Sequence, residues 1–217
     1  MSVSLLMGGC GGAAVHGETA GSAGDAGEPT RVADLPALAP TTDAQHTSPP
    51  EEEIEPVAVP IAGTELTRGR ATVEVRAPLA VVRDAVLGFG SYAEFMPHYE
   101  ACRLLGRTPS GARDVYMEIS ALHGALKMWA RIEVAKTVEG GVETVEARFV
   151  EGNVEDFEAT WKIRRLDALR TELSLEVFLQ PKLPLPAQIV NSENLKGSVK
   201  GVLAMRARAE QAAAPKR

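Results

Sequence analysis

The sequence predicts an α+β domain in which a curved antiparallel β-sheet wraps around one long C-terminal α-helix, with two short helices after the first strand. Three observations carry that expectation. The stretch Gly69–Gly106 reads as a strand ending at Ala77-Pro78, a helix, a Gly-punctuated corner, a short helix stopped at Pro97, and a second strand. Further segments alternate apolar and polar residues with a period of two as far as Leu179. The only long helical pattern comes last, from about Ala187. That helix must lie on the apolar face of the sheet, because nothing else in the chain can cover it. A bent sheet crossed by a single helix leaves room for an apolar cavity.

Each element has its own local reason. In the first strand Ala71, Val73 and Val75 alternate with Thr72, Glu74 and Arg76, as in a strand with one buried face. Pro78 suits a first helical turn, where its missing N–H has no intrahelical partner to lose. Leu79, Val82, Val86 and Leu87 then recur at helical spacing up to Gly88. Ser91 is expected to cap a second helix, Tyr92–Met96, which Pro97 ends; Phe95 is expected to anchor it beneath the sheet. Met117, Met128, Phe149, Phe157 and Trp161 fall on the apolar side of the later strands, and Tyr116, Trp129 and Phe178 on the other. His123-Gly124, Gly140-Gly141 and Gly152-Asn153 supply turns. One face apolar and the other mostly charged is the pattern of an antiparallel meander with one solvated face. The run Pro181–Pro186 breaks the sheet. The last helix is expected to span about Ala187 to Gln211, with Ile189, Val190, Leu195, Val199, Val202, Leu203 and Met205 as its apolar stripe.

Charge is distributed unevenly. The whole chain has a net charge of −6, yet the acidity sits at the front: residues 1–66 hold ten Asp and Glu against Arg31 alone, while residues 67–217 hold 19 acidic and 22 basic residues. A scattered excess of three positive charges is too weak a field to indicate nucleic-acid binding. The front segment is rich in Gly, Ala, Pro, Ser and Thr and poor in aromatics. It cannot bury enough apolar surface to offset the entropy of ordering, and is expected to be a disordered linker. Its first twelve residues, MSVSLLMGGCGG, have two readings. A short apolar run with Gly8 and Gly9 before Cys10 matches the end of a bacterial lipoprotein signal, with Cys10 the lipidated residue. The other reading is an N-terminal extension on a cytoplasmic protein. A membrane-anchored lipoprotein of the cell envelope is the preferred expectation, with a membrane surface as a partner.

Chemistry is sparse. An acid–base enzyme needs polar groups converging inside the cavity, and the inward positions are Val, Met, Ile, Leu, Ala, Phe and Trp. His98 and His123 are the domain's histidines, isolated in sequence and without metal-ligand spacing. His98, beside Pro97, is the better functional candidate; the alternative for both is ordinary surface. Cys102 is expected to be a small core residue rather than a nucleophile. No catalytic residue, metal or cofactor is assigned. The candidate ligand-binding residues are Phe95, Met117, Met128, Phe149, Phe157, Trp161, Leu195 and Val199, adaptable or flat apolar side chains suited to a variable guest. The alternative is that they fill a closed core. Asn191 and Asn194 are placed on the last helix to orient a ligand's polar end, or else to cap or face solvent.

The segment APLAVVRDAVLGFGSYAEFMPHYEACRLL near the front, with Tyr92, Phe95 and Pro97, and LPLPAQIVN opening the last helix, resembles the START-like (SRPBCC) superfamily, nearest to its polyketide cyclase/dehydrase and coenzyme Q-binding group. The resemblance implies a helix-grip fold with a cavity between sheet and helix. The resemblance covers roughly residues 68–210. Together with the N-terminal pattern and the composition of the front segment, it predicts a lipoprotein signal remnant (1–10), a disordered linker (11–67), a START-like ligand-binding domain (68–211) and a disordered tail (212–217). Family members bind sterols, phospholipids, quinones or polyketides, so the expected partner is a hydrophobic small molecule. A cyclase or dehydratase using His98, Arg103, Tyr92 or Asn194 is the enzymatic alternative. A protein-interaction module using the outward aromatics is the third.

Overall fold

The computed structural model describes residues 54–121, 124 and 126–215. Along the chain run β1 (Val57–Pro60), β2 (Thr67–Val75), α1 (Leu79–Leu87), a 3-10 turn (Phe89–Ser91), α2 (Tyr92–Phe95), β3 (Tyr99–Arg107), β4 (Arg113–Ala121), β5 (Leu126–Glu139), β6 (Val142–Gly152), β7 (Val154–Arg165), β8 (Thr171–Pro181) and α3 (Ala187–Ala213). The strands form one antiparallel sheet of eight in the order β1-β2-β8-β7-β6-β5-β4-β3. Strands β3 to β8 form a meander, and β2 returns to pair with β8, from Gly69↔Val177 to Val75↔Thr171. This is the curved sheet and long terminal helix that the alternation predicts.

Helix α3 packs mainly on β2 and β8, α1 packs on α3, β7 and β8, and α2 packs on β3. The long helix therefore hugs one side of the sheet and the short helix the opposite edge. What brings α3 so close to β2 is Gly69. A Cβ there would stand 2.1 Å from the Asn194 carbonyl oxygen, so only glycine permits the backbones to touch. At the next contact along α3, a Cβ on Gly201 would meet Leu175 Cδ2 at 2.6 Å.

The buried stripe of α3 accordingly differs from the expected one. Val190, Asn194, Ser198, Gly201, Val202, Met205 and Ala209 are buried. Leu195, Val199 and Leu203 are only half-buried, and Ile189 is 45% exposed. Close approach selects small residues for the contact line and rotates the larger apolar side chains off it.

Other expectations are corrected. The linker was placed as far as residue 67, yet Val57–Pro60 form β1 on the outer side of β2, in the register Val57↔Arg70 to Pro60↔Thr67. Most of β1 is exposed, so backbone pairing rather than burial holds it, and periodicity carries no trace of that. Ala212 and Ala213, assigned to the tail, complete α3. Ser91 does not cap α2; its hydroxyl donates to the Gly88 carbonyl at 2.9 Å. Phe178, expected in an outward aromatic patch, is 4% exposed. It lies opposite Glu158, and Arg68 on the flanking β2 reaches across β8 to Glu158 at 2.6 Å, closing over the strand between them. Tyr116 and Trp129 do stack on the outer face, 6.0 Å apart, with the Arg103 guanidinium 4.5 Å above Tyr116.

The inward face is not wholly apolar either. Glu143 is 6% exposed, on the same face as Val145 at the far end of the β5–β6 hairpin. It accepts two hydrogen bonds from Arg83 on α1 and lies 3.3 Å from Lys136. Hydrogen bonds from Arg83 hold its carboxyl below the usual carboxylate range, and Arg83 is raised in return. The pair ties α1 to the sheet at one end of the core.

Candidate functional site

Between α3 and the sheet, at the end away from α1, lies a cavity of about 170 Å³. Its walls follow from the fold. Strands β4 and β5 contribute Ile119, Ser120, Ala121, Leu126 and Met128; β7 contributes Phe157; β8 contributes Leu175, Val177, Leu179 and Pro181. From α3 come Val190, Asn194, Gly197 and Gly201, and the corner after α2 closes the opposite side with Met96, Pro97, His98 and Tyr99. The glycines matter here. A Cβ on Gly197 would meet only Val177 Cγ1, at 3.9 Å, so this turn of α3 leaves space where a side chain would fill it. The rim is formed by the exposed His98, Ile189, Glu193 and Lys200 with the half-buried Leu185.

Of the sequence candidates, Met128, Phe157 and Asn194 line this cavity. Met117 and Trp161 belong to the closed core, 2% and 6% exposed; the Trp161 ring lies beneath Gly201. Phe149 packs beside Gly152 on the bulged end of β6. Phe95 sits on α2, edge-on to Tyr92 at 5.6 Å, with the Arg208 guanidinium 5.4 Å over its ring. Asn191, Leu195 and Val199 line a different, shallow groove with Pro56, on the other side of α3. Cys10 and His123 lie outside the described residues. Sequence reasoning passed over Leu175, Val177, Leu179 and Ile119, which make much of the wall. Their alternation placed them on the inward face, but nothing in the pattern marks which stretch of an inward face lies over a void.

The amides of Asn191 and Asn194 are engaged with the backbone. Asn191 Oδ1 accepts from Thr67 N at 2.8 Å, and its Nδ2 donates to Glu65 O at 2.9 Å. Asn194 Oδ1 accepts from Leu179 N at 3.0 Å, and its Nδ2 donates to Thr67 O at 3.3 Å. Thr67 and Leu179 stand just beyond the last β2–β8 pair, where the strands part. The two asparagines supply the hydrogen bonds that the sheet stops providing, as buried backbone groups require.

The remaining polar candidates separate clearly. Tyr92 OH donates to Val86 O at 2.6 Å inside the core. Arg103 lies on the outer face. Burial pushes the Cys102 thiol up to about 12, which keeps it protonated as a core residue. His98 alone reaches the cavity rim unaltered from its expected place. It has φ 70°, its carbonyl accepts from Ser120 N at 2.8 Å, and its Nε2 lies 3.2 Å from Lys200 Nζ. Among the described residues no cluster of three His, Cys, Asp or Glu side chains is placed to hold a metal ion, and no helix is long and apolar enough to cross a membrane.

Residues 75–192 match the family model described as polyketide cyclase / dehydrase and lipid transport. The chain belongs to this family. Solved structures of the same fold include a START superfamily protein from Mycobacterium smegmatis, 21% identical over 66% of this chain and 97% of that one, with a TM-score of 0.58. A STAR-related lipid transfer protein from Xanthomonas axonopodis is 17% identical, covering 76% and 97% of the two chains, with a TM-score of 0.64. The Zhui aromatase/cyclase from Streptomyces sp. R1128 is 20% identical, covering 65% and 92%, with a TM-score of 0.53. No curated protein matches the chain significantly. At these identities the likeness establishes the START-like helix-grip fold.

Proposed function

We propose that this family member is a binding module that holds a hydrophobic small molecule between the sheet and the first half of α3, without chemistry of its own. The observation that carries this reading is the cavity's lining. The deep wall is Met, Phe, Leu and Val, and the one amide that reaches it, Asn194, is engaged with backbone. A guest therefore gains by removing apolar surface from water, at about 25 cal/mol per Å². The family's description, which includes lipid transport, supports the same class of guest.

The volume limits the guest. About 170 Å³ is close to an engineered cavity of about 150 Å³ that admits benzene and below the roughly 300–1,000 Å³ of drug-sized sites. One ring or a short chain segment fits inside. A larger lipid-, quinone- or polyketide-like guest leaves part of itself over Leu185 and Ile189 at the rim, or displaces Met128, whose unbranched thioether repacks readily. A lipidated Cys10 would hold such a module beside a membrane; incorporation of labelled fatty acid that Cys10→Ala abolishes is the check. The cyclase alternative retains only His98 of the four residues it named.

Gly197→Phe tests the cavity directly. A Cβ there meets only the Val177 side chain, at 3.9 Å, so the ring is expected to enter the cavity, and replacing a helical glycine favours the helix by about 0.5 kcal/mol. The variant is expected to keep the wild-type melting temperature while losing saturable Nile red fluorescence and any lipid seen by native mass spectrometry. A folded variant that binds as the wild type does would end the proposal.

A further inference from the structure

We propose that the guest is an amphiphile with one anionic end, its apolar part in the cavity and its carboxylate or phosphate at Lys200 and His98 on the rim. The inference rests on the binding reading above and names the ligand class for that site. It follows from asking which polar groups at the cavity still have bonds to give. Asn194 is buried and its amide is fixed by one backbone bond at each end, Oδ1 from Leu179 N and Nδ2 to Thr67 O. Glu193 is paired with Lys196 at 2.9 Å. Among the described residues Lys200 is the one Lys or Arg of the lining: its ammonium touches His98 Nε2 at 3.2 Å, and no carboxylate among them pairs with it. An ammonium has three donors and no acceptor, so the contact with His98 leaves donors facing the mouth.

The backbone reinforces the placement. His98 adopts φ 70°, a conformation uncommon outside glycine. The hydrogen bond from Ser120 N to its carbonyl fixes the corner against β4. On the helix side, Lys200 lies one turn beyond Gly197, so the cation stands immediately above the space that glycine leaves. A chain lying in the cavity reaches water at this cation. A neutral polar end would find there only a donor, whereas an anion finds a charge-assisted hydrogen bond, about twice as strong as a neutral one.

The test compares guests that share an eight-carbon chain. Octanoate, octyl phosphate and 1-octanol are titrated into the full chain by calorimetry at low salt, with Lys200→Gln, Lys162→Gln and Gly197→Phe in parallel. At least one of the anions is expected to bind about tenfold more tightly than the alcohol, one charge-assisted hydrogen bond's worth, and which anion wins names the end group. Lys200→Gln is expected to bring it to within about threefold of 1-octanol, while Lys162→Gln, at an exposed position on β7 outside the cavity lining, leaves the ratio as it is. The inference is overturned if 1-octanol binds as tightly as both anions, if Lys200→Gln leaves the preference intact, or if Lys162→Gln erases it equally. In each of those cases the cavity reading stands so long as Gly197→Phe abolishes binding. If no guest binds, or Gly197→Phe binds all of them, the cavity reading falls and this inference with it.

Discussion

The two ends of the sheet–helix interface are built from the same strands and end in opposite states. Under α1, Val75, Val82, Val86, Val134, Val145, Ile163, Leu173, Met205 and Ala209 are essentially inaccessible. Under the first half of α3, Ile119, Val177 and Leu179 are half-buried around a void. The alternation along β5, β7 and β8 is equally regular at both ends, so the difference is not in the strands. It lies in what is laid on them. At one end α1 packs against α3, β7 and β8 and is fastened by Arg83 to Glu143. At the other, α3 presents Gly197, whose missing side chain leaves open space, and the corner after α2 faces it. A sheet face becomes core or cavity according to the size of the residues opposite it, because protein interiors fill whatever side-chain volume is supplied and close poorly over what is missing.

The contact on which both ends depend is the strongest place to break this comparison. Gly69→Ala sets a methyl group against the Asn194 carbonyl, backbone against backbone, and α3 has to move away from β2. A loss of about 3 kcal/mol is expected, which for a domain of this size lowers the melting temperature by about 10 °C. A variant that melts with the wild type would show that α3 does not rest on β2 there.

The contrast itself is sharpened by truncating one methionine at each end. Met205→Ala, at a fully buried site, is expected to cost about 3 kcal/mol, since its surroundings cannot collapse. Met128→Ala, beside the cavity, removes contacts from one side only and is expected to cost about half as much. Denaturant midpoints at constant slope would measure both; equal losses would mean that the two ends are equally packed.

The smallest effect concerns the clasp at the closed end. The Glu143 carboxyl is depressed in the folded protein, so its stabilisation is fully present above the ordinary carboxylate range and is lost as pH falls through the depressed value. Glu143→Gln is expected to lower stability at neutral pH by about 1–2 kcal/mol, less than a fully buried pair because Arg83 is partly exposed. The deficit should shrink as the buffer is acidified toward pH 3. A deficit that stays constant with pH would remove the ion pair from the account of how α1 is held.

Much of this was legible beforehand. Period-two alternation gave the inward face of each later strand, since one buried face leaves a direct trace in residue type. The order of elements, with APLAVV and the FMPH corner near the front and one long helix last, gave the architecture and the family. Less legible was the face of α3. Leu195 and Val199 promised the contact line by hydrophobicity, but Asn194, Ser198 and Gly201 occupy it, because distance and not greasiness sets what fits between a helix and a strand that nearly touch. Asn191 and Asn194 promised a ligand contact and proved to complete the backbone hydrogen bonding where β2 and β8 diverge. Phe178 and Glu143 each lie on the face their parity assigns, and each is buried by an arginine from an element distant in sequence.

The amino-acid sequence by itself determined the strands from β2 onward, their inward faces, the two short helices and the closing helix, because these depend on residues within a few positions of one another. The tertiary structure alone decided that the core is solid at one end and hollow at the other, and that Lys200 meets His98 at the opening. Both depend on how closely α3 approaches the sheet, a distance set by Gly69 and Gly201 against partners far away along the chain, and on the space that Gly197 leaves.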